Sequence, residues 1–169
     1  MNPTKPNQLW LQLEKNALLR FDDFIPIENA LAFETLHHWP QHSKMIYLEG
    51  PRGSGKTHLA EAVAEQALAQ DKQVILLSGA SLPAPHFFYE LPPLDFFILD
   101  DADQLLQFSS RYEEALFALY NQIFDRPQAH LLLTANTAID QLPLKLKDLR
   151  SRLKGMLHFM LKHDTISEN

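Results

Sequence analysis

Apolar residues along this chain fall into short dense runs separated by longer stretches with helical spacing. The runs at 44–49 (KMIYLE), 73–78 (QVILLS), 94–99 (LDFFIL) and 130–134 (HLLLT) are too short for helices and show no in–out alternation. Each predicts a strand buried on both faces. Residues 156–161 (MLHFML) supply a fifth candidate strand. Between the runs, 57–70 (THLAEAVAEQALAQ) is rich in alanine, the strongest helix former. In 112–124, Tyr112, Leu116, Leu119, Tyr120 and Ile123 recur at the three- and four-residue spacing of one helix face. A shorter helix is expected over 28–39, stopped by Trp39 and Pro40, and a basic helical segment over 142–153. Pro83, Pro85, Pro92 and Pro93 mark a loop.

Apolar strands alternating with helices predict an α/β fold: a three-layer αβα sandwich around a mostly parallel five-stranded sheet. In such sheets ligands bind beyond the carboxyl ends of the strands. Residues 1–19 read as a tail, with Pro3 and Pro6 opposing a helix, and 20–169 as the core. Within the tail, QLWLQL (8–13) sets Leu9, Leu11 and Leu13 on one side of an extended segment.

At 169 residues, 46% hydrophobic and 21% charged, the chain has the composition of one folded domain and not of a disordered protein. It contains no cysteine, which excludes a disulfide scaffold, a thiolate metal site and a cysteine nucleophile. The net charge of −6 disfavours a DNA-reading surface, which needs clustered Lys and Arg. No apolar run approaches the ~18 residues of a membrane span, and MNPTKPNQ has no signal-peptide core. A cytoplasmic location is expected. His37, His38 and His42 lack a helical zinc-binding spacing and are read as surface or packing residues. Phe87, Phe88, Phe96 and Phe97 are assigned to the core.

Glycine is scarce, yet three of the five glycines, Gly50, Gly53 and Gly55, fall within six positions. They belong to GPRGSGKT (50–57), a Gly-x4-Gly-Lys-Thr pattern between a predicted strand and a predicted helix. That is the phosphate-cradling P-loop. Gly50, Pro51, Arg52, Gly53, Ser54 and Gly55 would turn backbone amides toward phosphate oxygens, with His58 beside them. Lys56 would reach the β- and γ-phosphates, and Thr57 would ligate Mg²⁺. The cofactor expected is therefore ATP or ADP with Mg²⁺.

FFILDD (96–101) is an apolar strand ending in two carboxylates, the first of them, Asp100, 43 residues after Thr57. Asp100 would hold Mg²⁺ through water, and Asp101 would orient or activate an attacking water. LLLTANT (131–137) ends another strand in polar residues and offers Asn136 as a γ-phosphate sensor. Residues 145–154 carry five basic side chains against one acid, a local net charge of +4. That is a solvated basic face or the seat of an arginine finger.

Taken in order, these motifs resemble the AAA+ ATPases, and within them the initiator clade of the bacterial replication initiator DnaA. The nearest resemblance is to the Hda-like regulatory inactivators of DnaA. RFDDF (20–24) is similar to the box that lines the adenine pocket in that clade, which implies nucleotide contacts for Phe21 and Phe24. EALFALYNQIFD (114–125) is similar to the helix after the acidic pair. LPLKLKDLRSRL (142–153) resembles the arginine-finger segment, implying Arg152 as the finger and Arg150 as the alternative. QLWLQL resembles the clade's sliding-clamp-binding hexapeptide, with Gln8, Leu9, Leu11 and Leu13 matching and Trp10 and Gln12 departing.

The implied partners are the DNA polymerase sliding clamp and the AAA+ domain of DnaA, with a homo-oligomer also possible. Sequence-specific DNA binding is not expected. The stretch at 79–93, with four prolines and no Lys or Arg, leaves no room for the initiator's DNA-binding insertion. The resemblance also leads to the expectation that the helical lid domain is absent, because only 17 residues follow Arg152. Two other readings stay open: an autonomous P-loop ATPase or kinase, and a helicase-loader-type AAA+ protein.

Overall fold

Five strands form one parallel sheet in the order β2-β3-β4-β1-β5. They are β1 (Met45–Glu49), β2 (Val74–Ser78), β3 (Phe96–Asp100), β4 (His130–Ala135) and β5 (Leu157–Met160). The helices are α1 (Ala30–His37), α2 (Lys56–Ala69), α3 (Ala102–Phe108), α4 (Arg111–Asp125) and α5 (Lys147–Lys154). The computed structural model of the chain describes residues 18–39 and 43–163. The hexapeptide with Gln8, Leu9, Leu11 and Leu13 lies outside these residues.

The dense apolar runs are strands because both sheet faces are covered, and successive residues serve two cores. Ile46, Leu48, Val74, Leu76, Phe96, Ile98 and Leu132 pack under α1 and α2. Met45, Tyr47, Ile75, Leu77, Phe97, Leu99, Leu131 and Leu133 pack under α3, α4 and α5. The expected layers and sheet are therefore present.

Four local expectations are refined. α3 was not foreseen: it spans seven residues, below the length at which helical periodicity stands out. The helix expected over 142–153 begins only at Lys147, because Pro143 biases its neighbourhood away from helix. There the buried carboxylate of Glu113 receives the Lys145 N–H at 2.7 Å and the Leu146 N–H at 3.2 Å. The proline-rich stretch contains a short turn, Pro85–Tyr89, that buries Phe88. β5 is an edge strand, with Met160 64% exposed. Phe88, Phe96 and Phe97 are core residues and Phe87 is partly buried.

Candidate functional site

β1 delivers the chain at Glu49 into a loop that enters α2 at Lys56. The loop turns on positive φ at Gly53 (+83°) and Gly55 (+101°), which L-residues rarely adopt. Space matters as much as φ. A Cβ on Gly50 would stand 2.6 Å from Ser54 Oγ and 2.9 Å from Leu161 Cβ. One on Gly55 would stand 2.7 Å from the Phe24 ring.

Lys56 is buried, and its ammonium donates to the Gly50 and Pro51 carbonyls at 2.6 and 2.9 Å. Burial lowers its pKa from the ordinary lysine value, opposed by Asp101, Asp100 and Asp103. Ser54 Oγ is buried and has no hydrogen-bond partner among the described residues.

Beside this loop β3 ends at Asp100, whose two carboxylate oxygens are both engaged. The Thr57 hydroxyl donates to Oδ2 at 2.7 Å, and the buried Thr134 hydroxyl donates to Oδ1 at 2.5 Å. Thr134 Oγ1 in turn accepts the Asp101 N–H at 2.9 Å. That bond holds Asp101 in a left-handed conformation, φ +57°. Gly79, at the end of β2, packs against the same turn: a Cβ there would lie 2.0 Å from the Asp101 carbonyl oxygen. Burial raises the Asp101 pKa, with Asp100 and Asp103 adding to the effect and Lys56 and Arg52 opposing it.

These elements enclose a cleft of about 350 Å³ lined by Arg52, Gly53, Gly55, Lys56, Thr57, His58, Asp101, Gln104 and Asn136. The structure thus gathers most of the residues expected from three separate motifs. Gly50, Pro51 and Ser54 shape the loop and do not line the cleft. Phe24 reaches the loop, since its ring meets the edge of His58 at 5.2 Å and lies against Gly55.

Phe21 is buried against Phe33 and His37, with ring centroids 5.4 and 4.8 Å away. It supports α1 and, with Arg20 and His37, lines a hollow separate from the phosphate cleft. Gln104 and Asp103 were missed, although a third carboxylate three residues after Asp100 on a helix start was visible in DDADQ.

The two arginines at 150 and 152 part company. The Arg150 guanidinium donates to the carbonyls of Ile139, Leu142 and Leu144 at 2.8, 3.0 and 3.2 Å and ties the 139–144 loop to α5. Arg152 is exposed and stands over the rings of Phe117 and Tyr120, 5.7 and 5.8 Å from their centroids.

The cleft suits a phosphate chain with a magnesium ion. Arg52 and Lys56 supply positive charge, Ser54 Oγ is an unpaired donor inside the loop, and Gly53 and Gly55 line the cleft. Thr57 and Asp100 would hold Mg²⁺, a hard cation that takes oxygen ligands. Among the described residues no group of three or more His, Asp or Glu is arranged around one metal position.

A parallel sheet in this order, with a P-loop after β1, an acidic pair after β3 and a polar turn after β4, defines a P-loop nucleotide-binding fold of the AAA+ class. The chain belongs to the bacterial DnaA ATPase domain family, whose profile matches residues 16–164.

An uncharacterised Haemophilus influenzae protein is 29% identical over 136 residues, 78% of this chain and 58% of that protein. The chain therefore spans less than two thirds of that relative. The fold is shared with AMPPCP-bound DnaA from Aquifex aeolicus, with a TM-score of 0.73 at 20% identity, covering 88% of this chain and 51% of that one. It is also similar to a Neisseria meningitidis protein solved in solution, with a TM-score of 0.56 at 27% identity, covering 86% of this chain and 90% of that one.

Proposed function

We propose that this chain is a nucleotide-gated regulator of replication initiation, akin to the Hda-like inactivators of DnaA. It binds ADP or ATP with Mg²⁺ in the cleft and docks on the polymerase sliding clamp through Gln8, Leu9, Leu11 and Leu13. It then presents Arg152 to ATP held by a DnaA subunit. Hydrolysis occurs on the partner and leaves it in the ADP form.

The observation that carries this reading is the contrast between the two arginines. Arg150 is committed to three backbone carbonyls, whereas Arg152 is exposed in the last turn of α5, just before β5. Because all strands run parallel, that position lies toward the amino ends of the strands, whereas the P-loop leaves the carboxyl end of β1, the neighbour of β5. An arginine there cannot serve its own chain's cleft and is suited to act in trans.

Within the cleft, Lys56 and Arg52 neutralise phosphate charge and Thr57 and Asp100 orient the cation. Bound ATP would supply the γ-phosphate that separates the two nucleotide states at Asn136. Asp101 lies where a water-orienting carboxylate is needed, so weak intrinsic turnover is compatible with the proposal. A cytoplasmic location goes with it, and no described helix is long and apolar enough to cross a membrane.

The test is reconstitution of DnaA–ATP, DNA-loaded clamp and this chain. The expected result is clamp-dependent hydrolysis on DnaA. Robust turnover by the chain alone, linear in its concentration, would instead favour an autonomous ATPase. Binding to a replicative helicase and not to the clamp would favour a loader.

A further inference from the structure

The turn after β4, which carries Asn136 into the cleft, is gripped from beneath. Asp103 Oδ2 accepts the Asn136 N–H at 3.2 Å and the Thr137 hydroxyl at 3.1 Å. From β1, the Tyr47 hydroxyl donates to the Thr137 carbonyl at 2.7 Å. Tyr47 is buried, and burial together with the Asp103 and Glu49 carboxylates raises its pKa, which keeps the phenol protonated and able to donate.

Asp103 itself is 8% exposed and lies on the first turn of α3, directly after the acidic pair. Its second oxygen, Oδ1, is buried with no partner among the described residues. A buried carboxylate oxygen left unpaired costs stability. Such a group calls for an explanation, and a strain reservoir or a role at a site is one.

We infer that Asp103 is the positioning residue of Asn136: it fixes the sensor turn so that the carboxamide meets a terminal phosphate, and thereby sets how far the cleft prefers a triphosphate to a diphosphate. The inference rests on the nucleotide reading of the cleft and deepens it. Asp103 does not line the cleft, so its effect passes through the turn. The geometry also couples the two motifs, because α3 starts at the residue after Asp101. Displacement of the sensor turn and displacement of the acidic turn are therefore transmitted through one helix start.

The experiment is titration of the full chain with ATPγS and with ADP, in Mg²⁺, for the wild type, Asp103→Ala, Asp103→Asn and Thr137→Val. The wild type should prefer ATPγS. Asp103→Ala should cut that preference about tenfold by weakening ATPγS, with ADP affinity changed by less than about twofold. Asp103→Asn keeps an acceptor oxygen and should retain most of the preference. Thr137→Val removes one of the two donors to Oδ2 and should fall between.

An unchanged ratio in Asp103→Ala, or equal losses for both nucleotides, would overturn the inference. So would an Asp103→Asn variant as damaged as alanine. If Asp103→Ala fails to fold, a wild-type ratio in Thr137→Val overturns it and a reduced ratio supports it. A wild type that binds both nucleotides equally overturns the sensor role alone. A wild type that binds neither overturns the nucleotide reading as well.

Discussion

The hydroxyl of Thr57 lies 2.7 Å from Oδ2 of Asp100, joining the first turn of α2 to the last residue of β3. Each side chain is one ligand short of useful alone; together they place a hydroxyl and a carboxylate where a magnesium ion can take both. Thr57→Val keeps the shape and deletes the oxygen. Nucleotide affinity in the presence of Mg²⁺ should fall about tenfold, and affinity in EDTA should stay near that of the wild type. Calorimetric titration under both conditions checks this; equal losses in the two would assign Thr57 to phosphate contact.

The arginines at 150 and 152 differ by two positions and should differ in kind. Arg150→Ala releases three carbonyls and should lower folding stability by about 2–3 kcal/mol, read by denaturant unfolding. Arg152→Ala loses only ring contacts and should fold like the wild type, while stimulation of hydrolysis on DnaA falls by about 10³-fold or more. Unchanged stimulation would remove Arg152 from the role proposed for it.

Asp101 makes a pH-dependent prediction. Its pKa is raised in the fold, chiefly by burial and then by Asp100 and Asp103. A carboxyl raised above its unfolded value favours the folded state while protonated, and that contribution is lost as pH rises through the folded pKa. At neutral pH the ionised group therefore destabilises the protein, and Asp101→Asn should melt at a higher temperature than the wild type. The gap should shrink as pH falls toward the ordinary aspartate value of 3.8. A gap independent of pH would show that the turn geometry, and not charge, sets the cost.

The tail is testable without further structure. Leu11→Ala/Leu13→Ala removes two of the three leucines on one side of an extended segment. Truncated anchors of this kind typically cost about 2 kcal/mol each, so clamp affinity should fall by about two to three orders of magnitude. Nucleotide affinity of the double mutant should match that of the wild type, and surface plasmon resonance on immobilised clamp would separate the two.

Much of the fold was legible because parallel strands covered on both faces must be apolar throughout, so 44–49, 73–78, 94–99 and 130–134 declared themselves. The P-loop was legible because its chemistry is local: glycines, lysine and threonine act within eight consecutive positions. The acidic pair and Asn136 followed from their places at strand ends.

What the sequence by itself determined, then, was which segments are strands and most of the residues that the structure gathers at the cleft. Only the tertiary structure decided the residues whose roles depend on distant partners. Arg150 and Arg152 look alike in DLRSRLK, and only the carbonyls of the 139–144 loop separate them. Phe21 and Phe24 share one motif, yet α1 buries the first and the P-loop receives the second. Gly79 carries no signal of its own, and DDADQ displays the Asp103 carboxylate without its partner; the first meets Asp101 by the close approach of two backbones, the second accepts the Asn136 N–H across 33 residues. The physical reason is that patterning along a chain records burial and local turns, whereas packing and hydrogen-bond partners are set by which elements the sheet order brings side by side.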